Sequence, residues 1–378
     1  MRVLMTGGGT AGHINPALAI AETIRKNDPG AEIEFVGVRS GKEVDLVPRE
    51  GYRLHFVRVM GFRRSLSPRN VKALYLALHS PHAKDTLAIL DAFKPDIVIG
   101  TGGFASWPIM KAAINRGIPT AMHESNALPG WTVRQLQRSV DRIWINFEQT
   151  AQKLRASDKI LRVGNPLRGG FGSISREEAK AKLGIGKDQL LVLSFGGSLG
   201  AESVNQAVIA VMKDLISRRP DVIHMHATGK RDYENCKKAF DEAGLSEHPG
   251  CIITDYIYDM ALRMAAADIV VSRAGAMTLS ELALMKKTAV LIPSPYVANN
   301  HQFVNAKTLA DANAACLVEE SSLEAGTLTE VIRELIEDTN RRAHMEQEIA
   351  QFADATANRR IWEDIKKLIE KRNQQEKG

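Results

Sequence analysis

The segment Gly7-Gly8-Gly9-Thr10-Ala11-Gly12-His13 has G-x-G-x-x-G spacing and sits between an apolar run and the start of a helical pattern. Glycines there let backbone N–H groups approach an anion, and the helix that follows adds partial positive charge at its N-terminus. A dinucleotide site would also need an acid closing the next strand. The stretch EIEFVGVRSG places Glu32 and Glu34 at its start and Arg39 beyond its end, which counts against a dehydrogenase. Gly196-Gly197-Ser198-Leu199-Gly200 repeats the arrangement in the second half of the chain. Either loop alone is also explained as a tight strand-to-helix turn, whereas the two together would suit a nucleotide diphosphate. A third helix entry lies in DIVVSRAGAMTLSELAL, residues 268–284. The helix is expected to begin near Met277 or Thr278, placing Glu281 in its first turn. A carboxylate there either complements the helix dipole or accepts the hydroxyls of a ribose.

Histidines supply the remaining candidate chemistry. His123 (in MHESNALPG) and His301 (in SPYVANNHQFVNA) are expected in polar loops at the ends of strands, the face on which open α/β sheets bind ligands. His224 and His226 alternate within a strand with no third ligand nearby in sequence, so a metal site is not expected. No Asp-x-Asp occurs, although metal-dependent sugar transferases ordinarily carry one.

The elements that must position these residues are short apolar runs alternating with helical patterns from end to end: RVLM, EIEFVGV, DIVIG, TAMHE, RIWIN, LLVLSF, VIHMHATG, CIITDYI, DIVVS and AVLIP. Strands separated by helices predict an α/β protein with mainly parallel sheets covered on both faces. LMTGGGTAGHINPALAI (4–20) repeats in pattern as VLSFGGSLGAESVNQAVI (192–208), aligning Gly8 with Gly196 and Gly12 with Gly200. Two such starts predict two Rossmann-like domains, residues 1–164 and 165–345, joined near VGNPLRGG. The tail 346–378 is expected to pack back on the first domain through Ile361, Ile365, Leu368 and Ile369.

A chain of 378 residues, 44% hydrophobic and 25% charged, excludes disorder, collagen and small disulfide scaffolds. Three scattered cysteines, Cys236, Cys251 and Cys316, point to a reducing compartment. No apolar window reaches a signal or membrane-spanning length, so a cytoplasmic location is expected. Charge is uneven: residues 1–164 hold 23 Lys and Arg against 14 Asp and Glu, while 165–378 hold 27 against 30. The excess concentrates in Arg53, Arg58, Arg63, Arg64, Arg69 and Lys72, with no acid between Gly51 and Lys84, and suggests an anionic partner. Nucleic acid is not expected, because the basic segment lacks interleaved aromatics for base stacking. The apolar residues 71–78, including Leu74, Tyr75 and Leu78, would form with Arg63, Arg64, Arg69 and Lys72 either an interfacial membrane patch or an ordinary core-facing helix.

Seven motifs in order, GGGTAGHINPALAI, GGFASWP, HESNALPG, GNPLR, GGSLGAESVN, SRAGAMTLSEL and NNHQFVNA, resemble the MurG family over nearly the whole chain. The resemblance implies a GT-B fold, two Rossmann-like domains with the active cleft between them. It implies an inverting N-acetylglucosaminyltransferase that uses UDP-N-acetylglucosamine and acts on the C4 hydroxyl of undecaprenyl-diphospho-N-acetylmuramyl-pentapeptide. The enzyme would be peripheral on the cytoplasmic face of the plasma membrane, with no cofactor or metal.

Carried over by motif, uracil would lie near Arg168 and the backbone of Ile257, the ribose on Glu281, and the diphosphate near Ser198 and the amides of Ala276, Met277 and Thr278. Leu279 and Ser280 belong to the same donor-binding stretch. The sugar would meet Asn126 and Gln302, and Thr10, Ala11 and Gly12 would close over the substrates. His13 is the candidate general base, with Glu124 in reserve. Trp107, Ser125, Tyr258 and Asn300 depart from the usual family pattern. Another glycosyltransferase of this fold with a different lipid acceptor shares the donor-side motifs, and an NAD(P)-dependent oxidoreductase is the reading the first glycine loop suggests by itself.

Overall fold

The computed structural model describes residues 1–61, 68–197, 200–297 and 300–375. The chain divides into two compact units, Met1–Gly169 with Asp354–Gly378, and Gly170–Ala353.

The first unit is built on a seven-stranded parallel sheet: β1 (Arg2–Thr6), β2 (Glu32–Gly37), β3 (Arg53–Phe56), β4 (Ile97–Gly100), β5 (Thr120–Glu124), β6 (Arg142–Ile145) and β7 (Ile160–Arg162), in the order β3-β2-β1-β4-β5-β6-β7. Strands buried on both faces need apolar residues at every position, and Val3, Leu4, Met5, Ile97, Val98 and Ile99 are all fully buried. Alternation sends Val3, Met5, Ile97 and Ile99 to one face, where they meet Ile14, Leu18 and Ile24 of helix Ala11–Asn27. Leu4 and Val98 go to the other, where they meet Ile109, Met110 and Leu90. The chain runs outward from β1 in one direction and from β4 in the other, so the crevice where the order reverses opens at the carboxyl ends of β1 and β4. Their register pairs Thr6 with Gly100, which starts the loops Gly7–Thr10 and Thr101–Gly103 side by side.

The second unit repeats the plan with six parallel strands: β8 (Leu190–Phe195), β9 (Val222–Ala227), β10 (Cys251–Thr254), β11 (Ile269–Ser272), β12 (Thr288–Leu291) and β13 (Cys316–Leu317), ordered β10-β9-β8-β11-β12-β13. Its reversal point lies between β8 and β11, whose register pairs Phe195 with Ser272 and so sets Gly196 beside Arg273. In each unit the glycine loop follows the strand at the switch point, which is the arrangement the sequence repeat predicts.

Helix Ala357–Gln375 packs on helix Ala11–Asn27 of the first unit, burying Ile361, Ile365 and Leu368 at about 1.5–3 kcal/mol each. Polar contacts fix its register. Asp364 accepts from Trp144 Nε1 at 2.7 Å and from Arg142 Nε at 2.9 Å. Asn358 exchanges hydrogen bonds with the backbone of Leu167. The expected start of this returning segment at 346 falls inside helix Thr339–Ala350, which stays with the second unit; the return begins at Asp354. Among the described residues no helix is long and apolar enough to cross a membrane.

Candidate active site

The first glycine loop is packed to backbone contact against the loop after β4. A methyl on Gly103 would overlap the Gly8 carbonyl, and Gly9 takes a φ of +87° that favours glycine. Thr101 ties the two loops together: its N–H donates to the Thr6 carbonyl at 2.8 Å and its hydroxyl to the His13 carbonyl at 2.7 Å.

His13 lies in the first turn of helix Ala11–Asn27, and its Nδ1 is 3.1 Å from the Thr101 carbonyl. A carbonyl oxygen only accepts, so Nδ1 carries the proton and Nε2 of the neutral ring keeps its lone pair. Desolvation holds the imidazole below its ordinary value of 6.5, against the opposing effects of the Thr101 hydrogen bond and the Glu43 charge. A neutral ring at pH 7 with a free acceptor nitrogen is the state a general base needs.

Glu43 is a residue the sequence reading did not single out. It is 0% exposed and lies beneath the loop, its two oxygens accepting from Gly9 N at 3.0 Å and Val38 N at 2.8 Å. An acid opening the short helix Glu43–Arg49 reads in sequence as ordinary helix-dipole complementation. The available signal was its position two residues after Gly41 and six after Gly37. A dinucleotide diphosphate on this loop would confront a buried carboxylate already holding the Gly9 amide, a second reason to reject the oxidoreductase reading.

His123 lies within β5 rather than in a loop, fully buried, and donates from Nε2 to the Gly164 carbonyl at 2.9 Å; burial lowers its pKa to about 4. Glu124 ends the same strand. One of its oxygens accepts from Asn126 N and Asn126 Nδ2, both at 3.0 Å, and the other from Gly130 N at 2.7 Å. Burial raises the Glu124 pKa while these bonds lower it. Its work in this arrangement is to shape the Asn126–Gly130 turn and to aim the Asn126 amide. His301 opens helix His301–Asp311 instead of lying in a loop. His224 and His226 are buried in β9 and hydrogen-bond to Ser194, each at 2.8 Å. Burial takes them to about 3 and about 4, so both are neutral core groups. Among the described residues no group of three or more His, Cys, Asp or Glu could hold a metal ion.

In the second unit Gly200 has a φ of +78°, and a methyl there would overlap the Thr228 carbonyl. Ser198 lies outside the described residues. The loop leads into helix Glu202–Asp214, where Ser203 donates to Glu320 at 2.6 Å; the other oxygen of Glu320 accepts from Arg273 at 2.5 Å. Glu320 thus ties the helix behind the glycine loop to the SRAGA turn after β11.

Helix Ala276–Leu284 begins at Ala276, one or two residues earlier than expected, and its N-cap Gly275 has no side chain to cap it. Glu281 therefore sits in the second turn, beyond reach of the first orphan amides, and a capping role is excluded. Among the described residues no side chain donates to its carboxyl, and desolvation alone pushes that group up to about 8. Such an acid is arranged to receive external donors. Within the same unit Ile257 is buried, and the Gln302 amide oxygen accepts from Ser294 N at 2.9 Å. Arg168 belongs instead to the first unit, where it pairs with Glu50 at 2.7 Å.

Helix Pro68–His79 turns its apolar residues outward. Val71, Leu74, Tyr75 and Leu78 are 71%, 52%, 59% and 62% exposed, at the i, i+3, i+4, i+7 spacing of one helical face, while the small Ala73 and Ala77 face inward. This decides against a core-facing helix. Lys72 is exposed beside the stripe, and the Trp107 indole donates to the Ala77 carbonyl at 2.6 Å, securing the helix. Arg63 and Arg64, and the side chain of Arg69, lie outside the described residues.

Two parallel-sheet domains, each with its glycine loop at the switch point, are the GT-B arrangement, and the match of residues 3–145 and 191–361 to the N-terminal and C-terminal domains of glycosyltransferase family 28 makes the chain a glycosyltransferase of that class. The chain is 41% identical over 372 residues, 98% of each sequence, to the UDP-N-acetylglucosamine–N-acetylmuramyl-(pentapeptide) pyrophosphoryl-undecaprenol N-acetylglucosamine transferase of Acetivibrio thermocellus. It is 38% identical to the transferase of the same name from Thermoanaerobacter sp. (strain X514), over 97% of this chain and all of that one. The crystal structure of Acinetobacter baumannii MurG superposes with a TM-score of 0.70 at 25% identity, covering 97% of this chain and 99% of that one. The protein belongs to this family of N-acetylglucosamine transferases.

Proposed function

We propose that this protein transfers N-acetylglucosamine from UDP-N-acetylglucosamine to the C4 hydroxyl of undecaprenyl-diphospho-N-acetylmuramyl-pentapeptide, with inversion to a β linkage. The observation that carries the reading is Glu281, a desolvated carboxyl without a side-chain donor among the described residues, in the second turn of a helix whose N-cap is a glycine. Two ribose hydroxyls supply the donors it lacks. Amides of Ala276, Met277 and Thr278 with Ser198 meet the diphosphate, the backbone of Ile257 and the Arg168 side chain meet uracil, and Leu279 and Ser280 complete the donor wall. Asn126 and Gln302 orient the sugar.

His13 Nε2 takes the proton from the acceptor C4 hydroxyl as its oxygen bonds to the sugar C1. The bond from C1 to the diphosphate oxygen breaks on the opposite face, and UDP leaves with that electron pair. Helix N-termini aimed at the departing oxyanion stabilise the charge that develops there. The acceptor is a lipid, so the enzyme meets it at the cytoplasmic membrane surface. The exposed stripe Val71, Leu74, Tyr75 and Leu78 and the basic residues Arg63, Arg64, Arg69 and Lys72 supply apolar burial and attraction to anionic headgroups.

The test is transfer of radiolabel from UDP-N-acetylglucosamine into butanol-extractable lipid, using membranes that supply the muramyl-pentapeptide lipid, with EDTA present and Glu281→Ala as control. Label in the lipid phase that the variant fails to produce is the expected result. UDP-sugar binding without transfer to this lipid would move the acceptor to another molecule, and absence of UDP-sugar binding would overturn the donor site as well.

A further inference from the structure

Three glycines from two loop regions converge on one carboxylate. Gly8 lies in the first glycine loop, Gly37 ends β2 and Gly41 belongs to the turn after it, and a methyl group at any of the three would overlap the Glu43 side chain. That side chain is fully buried, with one oxygen on the Gly9 amide and the other on the Val38 amide. A buried charge is a poor way to gain stability, since an apolar side chain of similar volume generally serves as well or better. The fold nevertheless keeps an acid here and shapes the surrounding backbone around it.

We propose that Glu43 is a positioning residue for the transfer reaction, fixing the first glycine loop and through it the imidazole of His13. The inference rests on the reading of His13 as the base. Thr10, the N-cap of helix Ala11–Asn27, makes no side-chain capping bond, so the entry to the helix that carries His13 lacks its usual local restraint. The Gly9–Glu43 bond supplies one from below. Position in the first helical turn disfavours a protonated imidazole. Among the described residues Glu43 is the charged group that acts on the ring, and it acts in the opposite sense. As His13 gains a proton in the transition state, a fixed negative charge beneath the loop stabilises the imidazolium without reorganising.

The experiment uses the full chain with isotope-labelled histidine. Glu43→Gln keeps the volume, removes the charge and turns an amide donor toward one of the two backbone N–H groups. His13 is expected to titrate at lower pH in this variant. The kcat for transfer should fall about 10- to 100-fold with a clearly smaller rise in KM for UDP-N-acetylglucosamine, because the loop that moves only closes over the donor through Thr10, Ala11 and Gly12, while Glu281 and its helix stay in place. Glu43→Asp keeps the charge one methylene short, so its His13 titration should remain near native with a smaller loss of kcat; it carries the kcat-against-KM test should Glu43→Gln fail to fold. A folded Glu43→Gln with native kcat and a native His13 titration would overturn the proposal, as would equal losses in kcat and donor affinity. His13→Gln separates this from failure of the underlying reading: native turnover in that variant removes the base assignment and the proposal with it. An inactive His13→Gln beside a fully active Glu43→Gln removes the positioning role alone.

Discussion

The two glycine loops begin alike and end in different chemistry. Each follows the strand at its sheet's switch point and packs to backbone contact against a neighbouring turn, Gly8 against Gly103 in the first and Gly200 against Thr228 in the second. The first loop sits over the buried carboxylate of Glu43, which already accepts its Gly9 amide, and presents an imidazole whose Nε2 is free to take a proton. Behind the second loop, Glu320 ties Ser203 to Arg273 and so links the loop's helix to the SRAGA turn; the helix after that turn, with glycine at its N-cap, carries the desolvated Glu281. On the proposed reading, one plan yields a loop for the acceptor proton in one unit and a site for diphosphate and ribose in the other. The difference lies in where each unit places its acid: under the loop on two backbone amides, or in the second turn of a helix with no side-chain donor among the described residues.

The sharpest way to break this comparison is His13→Ala. Loss of a general base should lower transfer about 10²- to 10⁴-fold. Near-native turnover with an unchanged pH profile would strip the first loop of its assigned chemistry. Next in size is Glu281→Gln, which replaces a charged acceptor of two hydroxyl donors; charge-assisted bonds at about 1.5–3 kcal/mol each imply a fall in kcat/KM of roughly 100-fold. An effect under about threefold would mean that the ribose is held elsewhere.

The pH dependence of donor affinity sharpens the same point. In the proposed site ribose hydroxyls would donate to the carboxylate and so favour its ionised form, while burial holds the proton on free Glu281 up to about 8. Binding at pH 7 therefore releases a proton. Affinity for UDP should rise about tenfold per pH unit as pH approaches 8, level off above it, and lose that slope in Glu281→Gln. Calorimetry in buffers of different ionisation enthalpy reads the released proton directly. The smallest expected effect belongs to the surface stripe: Leu74→Ser with Leu78→Ser should weaken partition onto anionic vesicles about fivefold without altering UDP binding. Unchanged partition would remove the stripe from membrane contact.

Much of this division was legible in the sequence because glycine turns and apolar runs are local signals. The repeat of residues 4–20 at 192–208 located both switch-point loops, and Glu281 stood out by its motif. What escaped notice depended on contacts distant along the chain. Glu43 looked like a helix-opening acid, and only the fold brings Gly9 onto it from 34 residues away. His123 and Glu124 read as members of a polar loop, yet pairing of β5 with β6 carries the strand through both residues. The start of the helix at Ala276 moved Glu281 from the first turn to the second, a shift of one or two residues that composition does not mark. The outward face of helix Pro68–His79 was undecided in sequence, because an apolar stripe at helical spacing points to a core as readily as to a membrane.

On this reading Glu281 of the second unit holds the ribose of the nucleotide while the first loop serves the acceptor proton. Equilibrium titration of UDP into native protein, His13→Ala and Glu281→Gln tests it most directly. The account predicts native affinity for His13→Ala and affinity weaker by roughly 100-fold for Glu281→Gln. Loss of UDP binding in His13→Ala, or its retention in Glu281→Gln, would contradict the assignment of the two loops.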